Sequence, residues 1–185
     1  MTLQAFLSLV VSELEGAGIR FMITGSLAAS YHGAPRATQD VDLVVEPDEA
    51  SLLELARRLR DVGLYASDAD VREAVETRGQ FNAIDPATGW KADFVVRKSR
   101  EFSSTEFDRR LPLNFLGLEM SMVTAEDLVI AKLEWAKLGD SERQLQAVAD
   151  IVAIQGERLD RDYLGTWIGR LHLEDQWEKV DAKGA

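Results

Sequence analysis

Two aspartates one residue apart, Asp40 and Asp42, open the run Asp-Val-Asp-Leu-Val-Val-Glu at 40–46. Residues two apart in a strand face the same side, so the pair sets two carboxylates on one face. Without a cation between them their repulsion raises the pKa of at least one. Hard divalent cations such as Mg²⁺ take oxygen ligands of this kind. The plain alternative is a solvated strand end. Against it, Leu43-Val44-Val45 reads as continuous apolar core. The acids therefore sit at the mouth of a buried strand, where open α/β sheets bind ligands. Asp93 is a third acid, inside the strand-like run Trp90 to Val96. Alone it reads as an exposed strand residue opposite Lys91 or Arg97. Paired beside 40–45, it brings three carboxylates together, the ligand type that two metal ions about 3.5–4 Å apart share.

Upstream, a β-rich run (Ile19 to Ile23) ends at Thr24-Gly25-Ser26, and a short helix comes next. The first N–H groups of a helix lack internal partners and its dipole is positive there, so such a place can hold a phosphate. Gly25 allows close backbone approach and Ser26 adds a hydroxyl; the ordinary reading of the two is a tight turn and an N-cap. Arg36 either meets a phosphate or pairs with one of the acids. Lys132 lies among Leu128, Val129, Ala131, Leu133 and Trp135, where a Lys ordinarily snorkels to solvent. Arg143 reads equally as a phosphate contact or a surface ion pair.

Several further groups read as structural. Arg97, Lys98, Arg100, Arg109 and Arg110 are interleaved with acids and read as a solvated face, local guidance of an acceptor polynucleotide being the alternative. His32 and His172 are lone. Trp90, Trp135, Trp167 and Trp177 read as packing anchors.

The elements that must position these residues are set by periodicity. Leu3, Phe6, Leu7, Val10 and Leu14 recur at helical spacing, and Leu52, Leu53, Leu55, Ala56 and Leu59 line one side of a helix opened by Pro47 and Asp48. Residues 70–77 predict another helix. Gln80–Ile84 and Trp90–Val96 predict a hairpin around Asp85-Pro86-Ala87-Thr88-Gly89, and Leu113–Val123 two more strands around Gly117. Thr124-Ala-Glu-Asp127 resembles a capping box, and helical patterns fill nearly all of the remaining chain. The expected fold is α/β (α+β), a mixed β-sheet flanked by helices with a C-terminal helical part; the expected division is 1–123 and 124–185.

The chain of 185 residues carries 21 Lys plus Arg against 32 Asp plus Glu, a net charge of −11. That excludes a basic nucleic-acid coat and non-specific DNA binding, so any RNA contact must be local. Cysteine is absent, which excludes disulfides and thiolate zinc sites and is in keeping with a reducing cytoplasm. Residues 3–11 are apolar, but no basic segment precedes them and Glu13 and Glu15 come directly after, so they read as an amphipathic helix rather than a signal peptide. No run approaches the roughly 20 apolar residues of a membrane helix.

A Gly-Ser turn, a short helix, Asp-x-Asp and a later strand Asp together resemble the polymerase-β-like nucleotidyltransferase superfamily. Here these parts are Gly25-Ser26, Asp40-x-Asp42 and Asp93, with 14 residues from Ser26 to Asp40. More narrowly the chain is similar to the AbiEii/MenT-like bacterial nucleotidyltransferases. That likeness rests on Gly-x-Pro-Arg-x-Thr-x-Asp-x-Asp (33–42), Phe81-Asn82-x-Ile84-Asp85, and Ala131-Lys132-Leu133-Glu134-Trp135 with Ser141-Glu142-Arg143 after it. The resemblance implies transfer of NMP from an NTP such as ATP to an acceptor hydroxyl. It implies two Mg²⁺ ions, with Mn²⁺ possible, on Asp40, Asp42 and Asp93, and a nucleotide held by Gly25, Ser26, Arg36 and Lys132. A toxin acting on tRNA, opposed by a cognate antitoxin protein, is the biological role it implies. Relatives often carry an acid at Ala147; here the nearest is Asp150, so that role is not transferred. An antitoxin-like module without activity and a small-molecule nucleotidyltransferase of the aminoglycoside kind are the alternatives.

Overall fold

The computed structural model describes residues 1–34, 37–46 and 48–184, the last four by backbone alone. In chain order the elements are α1 (Leu3–Gly16), β1 (Phe21–Ile23), α2 (Gly25–His32), β2 (Asp40–Val45), α3 (Glu49–Asp61), β3 (Tyr65–Ala66), α4 (Asp68–Thr77), β4 (Gln80–Ile84) and β5 (Lys91–Val96). Then come α5 (Glu101–Asp108), β6 (Leu111–Phe115), β7 (Leu118–Met122), α6 (Ala125–Gly139), α7 (Glu142–Gln155), α8 (Arg161–Leu171) and α9 (Glu174–Gly184). The strands form one mixed sheet in the order β3-β4-β5-β2-β1-β7-β6. β2 runs parallel to β5 and antiparallel to β1, and β4–β5 and β6–β7 are antiparallel hairpins. Among the described residues no helix is long and apolar enough to cross a membrane.

Local chemistry explains most of these boundaries. The side chains of Asp48, Ser67, Thr124 and Asp160 each accept the N–H three residues on, capping α3, α4, α6 and α8. The β4–β5 turn is tied by Asp85, which accepts the Ala87 N–H at 3.0 Å and the Thr88 hydroxyl. Strand period decides the faces. Val41, Leu43 and Val45 of β2 lie beside Ala92, Phe94 and Val96 of β5, and all are buried. Phe81 of β4 stacks on Phe94 with ring centroids 4.9 Å apart. The opposite face of the same strands carries Asp42, Val44, Asp93, Val95 and Asn82.

The passage from β7 to α6 at residues 123–124 leads into the C-terminal helices, whose apolar residues join the same core as those of the sheet. His32 of α2 is buried and bonds the Val123 carbonyl through Nε2 at 2.8 Å, and Gln155 of α7 donates to the His32 carbonyl at 2.7 Å. Burial holds the His32 pKa below its ordinary value.

Two elements have no counterpart in the sequence reading: the two-residue β3, and α5, whose Glu-Phe-Ser-Ser-Thr-Glu-Phe-Asp is too polar and short to show a clear period. In the basic cluster around α5, Lys98 is exposed, but the arginines do not form a solvated face. Arg100 grips Glu134 of α6 with two bonds of 2.5 Å. Arg109 lies over the Tyr163 ring at 3.9 Å and donates to fully buried Asp127 at 3.1 Å. These planar forks bind carboxylates bidentately and stack on rings, so they tie α5 to the C-terminal helices. Trp135 is a second correction: it is 56% exposed and anchors no core.

Candidate functional site

Register, not sequence spacing, assembles the site. The parallel β2–β5 pairing sets Asp40 opposite Lys91, Asp42 opposite Asp93 and Val44 opposite Val95. Asp42 and Asp93 are thus neighbours on one sheet face. Asp93 is buried, whereas Asp40, at the strand mouth, is exposed. Lys91 lies between the acids, its Nζ 2.8 Å from Asp93 Oδ2 and 3.6 Å from Asp40 Oδ1. The Asp93 bond is the main reason the Lys91 pKa is raised. Of the two cations the sequence sets against Asp93, Lys91 is the partner, since Lys-x-Asp in a strand places the two on one face, but Asp93 is buried rather than exposed.

The turn after β1 packs directly on Asp42. The Thr24 N–H donates to the Asp42 carbonyl at 2.9 Å, which ends the β1–β2 ladder and starts α2. Thr24 is the N-cap of α2 and makes no side-chain cap bond; Ser26 lies in the first turn. The Ser26 N–H is not free, as the sequence reading expects, but donates to Asp42 Oδ2 at 3.3 Å. Gly25 has φ +64°, and a Cβ there would stand 1.9 Å from Asp42 Oδ2. Only glycine leaves room for the carboxylate against the helix N-terminus.

Burial is the largest influence on the Asp42 carboxyl and pushes its pKa up. The Ser26 N–H opposes this, Asp93 and Asp40 push further up, and Lys132 opposes them. The rise has the expected sign, but desolvation outweighs repulsion as its cause. Lys132 does not snorkel. It is buried on α6, and its Nζ donates to Gln144 Oε1 of α7 at 3.2 Å. Arg36 lies outside the described residues. Arg143 is exposed, and Asp150 accepts from Gln146 Nε2 at 2.9 Å.

Among the described residues no three Asp, Glu, His or Cys side chains form a ready cation cage; Lys91 stands where Asp40 and Asp93 would meet. The donor set still suits a hard divalent cation, being all carboxylate oxygen. Asp93 Oδ1 is moreover buried with no hydrogen-bond partner, and a buried acceptor left unpaired is costly unless something binds it.

No protein-family model and no curated protein matches the chain. Its fold is similar to the solution structure of the antibiotic-resistance factor ANT(2'')-Ia, with a TM-score of 0.62 and 10% identity over 95% of this chain and 96% of that one. The crystal structure of ANT(2'')-Ia in complex with adenylyl-2''-tobramycin gives 0.58 and 11% over all of both chains. An antigenic nucleotidyltransferase-like protein from Paracoccidioides brasiliensis gives 0.56 and 18% over 97% of this chain and 92% of that one. At such identities the likeness is one of fold: the chain has the mixed α/β architecture of nucleotidyltransferases.

Proposed function

We propose that the chain is a metal-dependent nucleotidyltransferase that moves NMP from an NTP to an acceptor hydroxyl. The observation that carries this reading is the pairing of Asp42 with Asp93 beside the N-terminus of α2, on a face whose charge balance includes buried Lys132. Asp42 and Asp93 would hold Mg²⁺, or Mn²⁺, with Asp40 joining once Lys91 withdraws. A cation bound there neutralises phosphate charge and supplies Lewis-acid polarisation at the reacting phosphorus.

The chain's own residues do the rest. Gly25 and Ser26 present the α2 N-terminus to the triphosphate, with Arg36, four residues before Asp40 in the sequence, as a further phosphate contact. Lys132 offsets the negative charge that grows on the departing pyrophosphate. The acceptor oxygen bonds to the α-phosphorus as the bond from that phosphorus to the pyrophosphate oxygen breaks. Pyrophosphate leaves with the electron pair, and the hydroxyl proton passes to the Asp93 carboxylate and then to water.

The finer reading is a cytoplasmic toxin that modifies tRNA and is countered by an antitoxin protein. A second reading, transfer to a small cationic acceptor, draws on the net charge of −11 and on the fold shared with ANT(2'')-Ia, whose complex holds adenylyl-2''-tobramycin. The test incubates purified protein with Mg²⁺, each α-labelled NTP, and either tRNA or tobramycin. Label on one acceptor, lost in Asp42→Asn, is expected. No nucleotide binding and no labelled acceptor with any NTP would refute the proposal.

A further inference from the structure

A cavity of about 460 Å³ opens on the same sheet face as the aspartates. Its floor is Val44 and Val95, each two residues beyond Asp42 and Asp93. Two strand residues span roughly 6.6 Å, so the cavity begins one short step from the carboxylates. Thr24 forms the edge nearest α2, and Gln80 of β4 the far side. The cavity therefore extends across β5 and β4, away from β1 and the helix N-terminus after it. In an in-line displacement the attacking and leaving oxygens lie on opposite sides of the phosphorus. With the triphosphate on α2, the attacking side is this cavity.

Its lining has a definite chemistry. Arg78, Arg97 and Lys98 stand on it, and none pairs with a described carboxylate. Arg78 Nη1 and Arg97 Nε are buried donors without a partner, although Arg97 Nη1 bonds Ser104 Oγ at 2.9 Å. The acids present do not cancel these charges. Glu134 is engaged by Arg100. Glu106 is buried, and burial pushes its carboxyl up to about 8, so it is largely neutral at pH 7. At the mouth, Trp135 and Leu138 of α6 are 56% and 78% exposed. An indole 56% exposed, lining one cavity with unpaired guanidinium donors, suits a planar ring carrying a phosphate, since rings stack on aromatic side chains and guanidinium binds phosphate bidentately. A polycation meets the wrong sign.

We infer that this cavity is the acceptor subsite and takes a phosphate-bearing nucleotide, free or at the end of a strand, with the phosphate on Arg78 and Arg97 and the ring on Trp135. The inference rests on the nucleotidyltransferase reading and names the acceptor class for it.

The test is calorimetric titration of the full chain with four probes: AMP, 5′-phosphorylated triadenylate, tobramycin, and α,β-methylene-ATP with Mg²⁺. The variants are Arg78→Gln, Trp135→Ala and, to disable the donor side, Asp42→Asn. Trp135→Ala removes an exposed ring, so its folding is secure, and the thermal midpoint is checked for each. AMP or the trinucleotide should bind wild type and Asp42→Asn alike, and at least tenfold more weakly to Arg78→Gln and Trp135→Ala. The methylene analogue should change less than twofold in those two variants. A trinucleotide bound tenfold tighter than AMP supports a strand end; equal affinities support a free nucleotide. The inference is overturned if neither phosphate probe binds. It also falls if the donor analogue weakens as much as AMP, which would make the cavity the donor's base pocket, or if tobramycin competes with AMP. Failure of the analogue to bind wild type at all is a separate result, and refutes the enzyme reading instead.

Discussion

Glu106→Gln tests the electrostatics of this face most sharply. Glu106 is buried on α5, with Asp127 and Glu134 pushing its carboxyl up and Arg100 opposing them. Its pKa rises from 4.5 to about 8, mainly through burial. Between those values the folded chain holds a proton that the unfolded chain has released, so stability falls as pH rises. At 1.36 kcal/mol per pH unit, the whole span is worth about 5 kcal/mol, with roughly two thirds lost by pH 7. Gln has the same shape and no charge to desolvate. Below pH 4.5 the two proteins should have similar stability. Above it the variant should gain steadily on wild type, by about 5 kcal/mol at pH 9. Urea unfolding at pH 4, 5, 6, 7, 8 and 9 gives the difference free of the other carboxylates, which titrate in both proteins. Parallel stability curves would show that Glu106 is solvated in the fold, and would return a negative charge to the cavity.

Substitutions at three other positions probe the aspartate end. Gly25→Ala should cost at least about 1–2 kcal/mol in urea unfolding from its positive φ alone, and should abolish donor-analogue binding by pushing Asp42 aside; retained binding would place the phosphate elsewhere. Ser26→Asp adds a carboxylate beside Asp42 at the helix N-terminus, so nucleotide affinity should fall far more than in Ser26→Ala, where one neutral bond is worth about 0.5–1.5 kcal/mol. Lys132→Met keeps the buried stem but removes the charge: transfer should drop at least about tenfold with the thermal midpoint shifted only a few degrees, and a destabilised variant with full specific activity would make Lys132 a packing residue.

Much of the fold is legible in the residues because its signals are local. The Asp-Val-Asp alternation, the Asp85–Gly89 turn and the Thr124 cap each act within a few residues, and the structure has the corresponding strand, hairpin and helix start. The mixed sheet with trailing helices is set by the order of such signals. α5 escaped because its apolar face is two phenylalanines among hydroxyls and acids, a helix stabilised by what it packs on rather than by its own period.

What the sequence by itself determines here is faces: Asp40 and Asp42 on one side of a strand, apolar residues on the other. Which strands meet is decided only in three dimensions. The β2–β5 register brings Asp93 to Asp42 across about fifty residues, and with it Lys91, which no spacing rule links to Asp40. Gly25 reads as any turn glycine until the Asp42 carboxylate is seen in the space its Cβ would fill. Arg100 reads as a solvated charge, and Lys132 as a snorkelling side chain or a nucleotide contact, until the packing of α5, α6 and α7 gives Arg100 its bonds to Glu134 and buries Lys132. Trp135 reads as core until the same packing leaves it outside. Periodicity records which way a side chain points from its own backbone; burial, pKa and partnership depend on what other segments lie there, and that is a property of the packed chain.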